Sequence, residues 1–162
     1  MSITVGATLP DATFLVMGAN GPEPVELASK VKGRKVVIFG LPGAFTGPCT
    51  TSHLPSFMRT RAGFAEKGVD EVICVAVNDP FVLKAWGEAT GAAEAGITLL
   101  GDAETVFTKA LGMDFSAPHL GLINRSTRYA LVAEDGVITH VSLEEVAGAC
   151  DLTTGERLLE KL

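Results

Sequence analysis

The stretch Lys35-Val-Val-Ile-Phe-Gly-Leu-Pro-Gly-Ala-Phe-Thr-Gly-Pro-Cys49 decides how the rest of the chain is read. Val36 to Phe39 are apolar with no polar alternation, the pattern of a strand covered on both faces. Pro42 and Gly43 break the run, and Gly47 and Pro48 follow, so a buried strand delivers the chain into a loop. From Cys49 the apolar residues Leu54, Phe57, Met58 and Phe64 recur at helical spacing until Lys67-Gly68 supplies a stop. The order strand, loop, helix puts residues 40–50 at the carboxyl end of a central strand, where α/β sheets gather their functional groups.

The same alternation continues on both sides. Glu71 to Val77 is a second continuous apolar run closed by Asn78-Asp-Pro80, and Phe81 to Ala89 follows with Phe81, Val82, Ala85 and Trp86 on one helical face. Ile97 to Leu100 reads as a short strand, and Ala103 to Leu111 as a helix stopped by Gly112. Arg128 to Ala133 and Val137 to Val141 bracket Glu134-Asp-Gly136, a hairpin signal, and Thr153 to Leu162 closes the chain as an amphipathic helix. Upstream, Ala12 to Met17 and Glu23 to Glu26 flank Gly18-Ala-Asn-Gly-Pro22 and read as a peripheral hairpin. Successive βα units followed by an antiparallel hairpin predict an α/β fold, a thioredoxin-like mixed sheet covered by helices on both faces.

Composition bounds what such a fold can do. The 162 residues carry 13 Lys and Arg against 19 Asp and Glu, a formal charge of −6, so no basic stripe is left for nucleic acid or an anionic membrane. The length fits one domain over residues 1–162, and 47% apolar residues with a mean hydropathy of +0.33 argue against disorder. The longest apolar stretch, 36–45, is broken by Gly40, Pro42 and Gly43 and falls short of the ~20 residues that cross a bilayer. The opening MSITVGATLPD has neither a basic nor an apolar export region, so a cytoplasmic protein is expected. Three widely spaced cysteines, Cys49, Cys74 and Cys150, do not make a disulfide framework and point to chemical use.

Cys49 is the first candidate. With Thr46 as N-cap and Gly47-Pro48 in the first turn, its sulfur meets unpaired N–H groups and the positive end of a helix dipole. Settings of this kind lower a thiol pKa from about 8.5 to ~3.5–7.5, which makes a reactive thiolate physically reasonable. The alternative is a buried cysteine acting as a small hydrophobe, but this one lies among Gly, Pro and Thr. No second cysteine stands three residues away, so the CxxC dithiol of a disulfide oxidoreductase is missing. His53, four residues on, shares a helical face with Cys49. The two make neither a zinc site, which needs four ligands, nor a hydrolytic pair with an evident orienting carboxylate. His119 and His140 have no comparable context.

Pro42, Thr46 and Cys49 match the PxxxTxxC motif of the peroxiredoxins. Pro42-Gly-Ala-Phe45, His53-Leu-Pro55 and Val77-Asn-Asp-Pro-Phe-Val82 are similar to the type II branch, the peroxiredoxin five subfamily, and the similarity runs from Val5-Gly6 to the last helix. The resemblance implies a thioredoxin fold with an N-terminal extension. It also implies reduction of hydrogen peroxide and alkyl hydroperoxides by thiols, with no metal or organic cofactor, and a homodimer packed near the active-site face. Cys49 would be the peroxidatic residue, oxidised to a sulfenic acid as water or alcohol leaves. Thr46 would offer its hydroxyl to the developing charge, and Pro42 would shield the sulfur.

Arg128, just before Tyr129, resembles the active-site arginine of the family, although an arginine at a strand start otherwise reads as a solvated charge. Arg125 matches a second family arginine, and Gly43 and His53 would support the pocket. For recycling, Cys74 occupies a resolving position of some type II members and Cys150 lies about two residues from that of another branch. A one-cysteine cycle, with glutathione and glutaredoxin or thioredoxin attacking the sulfenic acid, is equally consistent. Two departures stand out: Thr46-Gly-Pro-Cys49 moves the usual proline one place toward the cysteine, and Ile123 stands where glycine is common. The competing reading is a redox-sensing thioredoxin-fold module that changes partners without rapid turnover.

Overall fold

Side chains alternate across the strand Lys35–Leu41: Val37, Phe39 and Leu41 enter one core, Val36 and Ile38 the other. The strand is therefore buried on both faces, as its apolar run requires. In the computed structural model, which describes residues 3–162, it is β3 in the order β1 (Thr13–Gly18), β2 (Gly21–Glu26), α1 (Leu27–Val31), β3 (Lys35–Leu41), α2 (Leu54–Glu66), β4 (Glu71–Ala76), α3 (Pro80–Thr90), β5 (Ile97–Gly101), α4 (Val106–Ala110), β6 (Asp114–Ala117), β7 (Leu122–Ser126), β8 (Tyr129–Glu134), β9 (Val137–Leu143) and α5 (Gly155–Glu160).

Seven strands form one sheet in the order β2-β1-β5-β4-β3-β8-β9. The centre is parallel, β3 to β4 to β5, and the flanks are antiparallel. One face is covered by α2, α3 and α5 through Leu54, Phe57, Phe64, Leu83, Trp86 and Leu158. The other is covered by α1 and α4 through Leu27, Val31 and Phe107, with Phe14 packed edge-on to Phe107 at 5.2 Å. The mixed, doubly covered sheet is the expected one.

Three expectations need correction. The N-terminal hairpin is less peripheral than its composition suggests, because β1 pairs with β5 and buries Phe14 completely. Phe81 does not share the core with Trp86: it sits in the first turn of α3, 63% exposed, while Trp86 is fully buried. The helix beginning near Cys49 is not uniform, since Cys49–His53 is a π-helical turn that hands over to α2. The short helix α1 and the small β6–β7 sheet are additional to the elements read from the sequence.

The β3–β8 register brings the site together. Gly40 pairs with Tyr129, so Arg128, one residue earlier on the antiparallel strand, arrives at the carboxyl end of β3. Gly40 is required there because a Cβ would stand 2.2 Å from the Tyr129 ring.

Candidate active site

Cys49 opens the π turn at the carboxyl end of β3, and its side chain is fully buried. The turn is closed by Leu54 N–H donating to the Cys49 carbonyl, the i→i+5 bond that marks such turns, which are common at functional sites. Trp86 ties it down from α3: its indole N–H donates to Thr50 Oγ1 at 3.1 Å.

Arg128 reaches the sulfur directly. Nη2 donates to Cys49 Sγ at 3.4 Å, Nη1 to His53 Nδ1 at 3.0 Å, and Nε to the Ala149 carbonyl at 3.1 Å. Arginine only donates, so His53 Nδ1 is an acceptor and the ring proton sits on Nε2, which donates to the Thr153 carbonyl at 3.0 Å. Burial, reinforced by the Arg128 cation, holds the His53 pKa well below its ordinary 6.5. The ring is neutral, and Phe39 and Phe57 pack against it in edge geometry at 5.1 and 5.5 Å.

This arrangement has an electrostatic consequence. His53 orients Arg128 without cancelling its charge, as a carboxylate would. Among the described residues Arg128 forms no ion pair, and it is only 8% exposed. Its positive charge is directed at the sulfur in a dry setting where water screens it little. The same contacts remove the hydrolytic reading, because both ring nitrogens of His53 are engaged and neither bonds to Cys49.

Thr46 departs from its expected roles as a side-chain cap and hydrogen-bond donor. Its carbonyl accepts from Thr50 N–H at 3.1 Å, but its hydroxyl points back to the Gly43 carbonyl at 2.7 Å. A carbonyl cannot donate, so the hydroxyl proton is committed to it and the Thr46 oxygen faces outward as an acceptor. The Pro42–Phe45 loop is fixed from two sides. Arg125 Nη1 donates to the Pro42 carbonyl at 3.0 Å, and Asn78 Oδ1 accepts from Ala44 N–H at 2.9 Å. Gly43 has φ of +153°, and a Cβ there would meet Arg125 Nη1 at 2.1 Å, so glycine lets the arginine close over the loop.

The structure thus brings Cys49, Arg128, His53, Thr46, Pro42, Gly43 and Arg125 to one end of the sheet. Cys74 lies on β4 on the same face as Cys49 but is fully buried, and burial, with the neighbouring Cys49, pushes its thiol pKa well up. Cys150 is half-buried in the loop before α5, next to the carbonyl that holds Arg128, and burial raises its thiol too. His119 and His140 are remote in sequence and make no contact with this cluster among the hydrogen bonds of the described residues. Asn78, Trp86 and the carbonyls of Ala149 and Thr153 were not singled out from the sequence. For Asn78 the signal was present in Asn78-Asp-Pro80 after β4; backbone carbonyls carry none.

Comparison with known proteins agrees with the geometry. The family model described as Redoxin matches residues 4–159. The chain is 44% identical to peroxiredoxin-2E-2, chloroplastic, of Oryza sativa subsp. japonica, over 99% of this chain and 73% of that protein. It is also 44% identical to peroxiredoxin-2F, mitochondrial, of Arabidopsis thaliana, over 84% of this chain and 67% of that one. Reduced Prx3 of Vibrio vulnificus, solved in complex with H2O2, superposes with a TM-score of 0.91 at 37% identity over 98% of both chains. With the Redoxin match spanning residues 4–159 and relatives at 44% identity matched over 84% and 99% of this chain, the chain belongs to the peroxiredoxins, in their type II branch, and is a thiol peroxidase.

Proposed function

We propose that Cys49 is the peroxidatic residue and that hydrogen peroxide and small alkyl hydroperoxides are its substrates. The observation that carries this is the Arg128 guanidinium, free of any counter-carboxylate, 3.4 Å from the buried sulfur. Its positive charge faces the attacking sulfur and is positioned for the charge that develops on the leaving oxygen. The thiolate attacks the terminal peroxide oxygen. An S–O bond forms, the O–O bond breaks, sulfur loses two electrons, and the departing oxygen takes up from solvent the proton that the thiol gave up on ionising and leaves as water or alcohol. The attacked oxygen keeps its hydrogen and becomes the sulfenic acid. Thr46 Oγ1 accepts a hydrogen bond from that O–H, holding the terminal oxygen in line with the sulfur. Pro42 walls the pocket, with Arg125, Gly43 and His53 fixing its edges.

The reducing thiol comes from outside the chain, from glutathione with glutaredoxin or from thioredoxin. Two features favour this over an internal disulfide. Cys74 is locked in a central strand, and Cys150 is held between two tethers, the Ala149 carbonyl on Arg128 and Asp151 N–H on Glu144. Both thiols are also shifted away from the nucleophilic thiolate form by burial. The external thiol attacks the sulfenic sulfur, water leaves, and a second thiol releases Cys49. Access requires the Cys49–His53 turn, held by Leu54 N–H and by Trp86, to open.

Phe45 lies in the loop that holds the site, Phe81 opens α3, and Leu120 and Ile123 stand before and within β7, whose Arg125 holds that loop; all four are exposed, and we assign them to a homodimer contact. A cytoplasmic setting is supported by three unpaired thiols. Cell fractionation tests it, and recovery in an organelle or exported fraction would overturn it.

Stopped-flow oxidation of the reduced protein tests the central claim. Rapid consumption of one equivalent of peroxide, abolished in Cys49→Ser, is expected. Oxidation no faster than that of a free thiol would instead make the protein a redox-sensing module. Intact mass after that equivalent tests the recycling claim: a mixed disulfide with glutathione is expected, and an internal disulfide lost in Cys150→Ser or Cys74→Ser would overturn it.

A further inference from the structure

Two backbone carbonyls hold the cationic half of the site: Ala149 O on Arg128 and Thr153 O on His53. Both belong to the loop between β9 and α5, which has no helix or strand of its own to keep its shape. One side chain supplies it. The Glu144 carboxylate accepts from the N–H groups of Asp151 (3.0 Å), Leu152 (3.1 Å) and Thr153 (2.8 Å), and from the Thr153 hydroxyl (2.5 Å). Three successive amides are thereby turned toward one point.

We propose that Glu144 is a positioning residue of the peroxidase reaction, a clasp that fixes residues 149–153 so that their carbonyls aim Arg128 at Cys49. This rests on the reading of Arg128 given above. Register places the clasp well: Leu143 pairs with Tyr129, so Glu144 leaves the sheet beside the point where Arg128 enters it. The loop has a second anchor at its far end, where Gly155 N–H donates to Ser56 Oγ, which in turn donates to the His53 carbonyl. That anchor fixes where the loop ends. Glu144 fixes the path between, including the carbonyl that faces Arg128 Nε. Charge is what the clasp needs, because a carboxylate offers lone pairs to four donors, whereas an amide in its place would bring two N–H groups into a nest of N–H groups.

The test is a mutant cycle read by stopped-flow oxidation of Cys49. Glu144→Ala and the isosteric Glu144→Gln are each combined with Arg128→Ala, and Glu145→Ala, an exposed neighbour, serves as control. The single Glu144 variants should oxidise about 10- to 100-fold more slowly than the parent and lose thiolate absorbance at neutral pH. In the Arg128→Ala background Glu144→Gln should cause little further loss, because its effect passes through the arginine. Should the alanine variant fail to fold, the glutamine variant carries the comparison. Folded Glu144 variants with parental rates, or losses that multiply in the double variants, would overturn the clasp. A parental rate in Arg128→Ala alone would instead overturn the reading of Arg128.

Discussion

Arg128 is the residue on which the proposed chemistry turns, because the guanidinium fork makes three different contacts at once: sulfur, imidazole and carbonyl. Arg128→Lys retains the charge but has one point donor, so it cannot hold His53 and Ala149 while reaching the sulfur. We expect Arg128→Ala to slow peroxide reduction by about 10²- to 10³-fold, with Arg128→Lys in between, as measured by stopped-flow oxidation. His53 makes a separate, thermodynamic prediction. Its folded pKa lies well below 6.5 through burial and Arg128, so below pH ~6.5 the unfolded chain binds a proton that the folded chain refuses. Stability therefore falls as pH drops through that value. Glu71 and Glu144 act in a lower window: burial opposes their ionisation, but hydrogen bonds outweigh it and hold both below 4.5, so their contribution is lost only as pH falls beneath that. Urea midpoints between pH 7.5 and 5.5 should decline in the parent and decline less in His53→Gln. At this scale the sequence was partly legible. Cys49 announces itself by type and setting, and Arg128 stands out through the family resemblance rather than its spacing, whereas Glu144 acts on backbone amides 7 to 9 residues ahead and looks like any charged residue at a strand end.

The elements owe their legibility to length. β3, β4, β8 and β9 have 6 or 7 residues each and carry enough apolar signal to be read, as does α2 with 13. The helix α1 has 5 residues and β6 has 4, too few for a period to show, and tertiary contacts decide their state. The π turn at Cys49 is illegible for another reason: nothing in Cys49-Thr-Thr-Ser-His53 distinguishes i→i+5 from i→i+4 bonding, and the choice is imposed by Arg128, Trp86 and the loop packed around it. That loop yields a test at the level of the element. Gly43→Ala places a methyl group 2.1 Å from Arg125 Nη1 at a φ of +153°, so the arginine must leave the Pro42 carbonyl or the loop must shift. The expected cost is ~1–3 kcal/mol of stability in urea unfolding, with peroxide reduction falling alongside. Asn78→Ala removes only the bond to Ala44 N–H and should cost about 1 kcal/mol. Equal effects of the two variants would show that Arg125 does not depend on the space glycine leaves.

On the scale of the whole molecule, the sheet divides labour between its ends. The amino end of the parallel strands is closed by a structural network in which Lys30, Arg34 and Thr98 converge on Glu71. The carboxyl end carries Cys49, and the segments that follow β3 and β4 there expose Phe45 and Phe81, at 57% and 63%, while Leu120 and Ile123, before and within β7, are 66% and 54% exposed. Phe45 also holds a left-handed backbone, φ +62°, a strain that a bulky residue sustains only when its surroundings fix it. On the proposed reading these four side chains form an apolar rim, and a second copy of the chain meeting it would bury them and brace the loop around Cys49. The formal charge of −6 opposes association through long-range repulsion, which salt screens. Dimerisation driven by the apolar rim should therefore strengthen as ionic strength rises, where a contact built on ion pairs would weaken. Sedimentation of the reduced protein at low and high salt should show a dimer that tightens with salt, and Leu120→Asp or Phe81→Asp should shift it to monomer and slow peroxide reduction together. A monomer at every salt concentration, or a dimer indifferent to both substitutions, would place the subunit contact elsewhere and leave the rim unexplained.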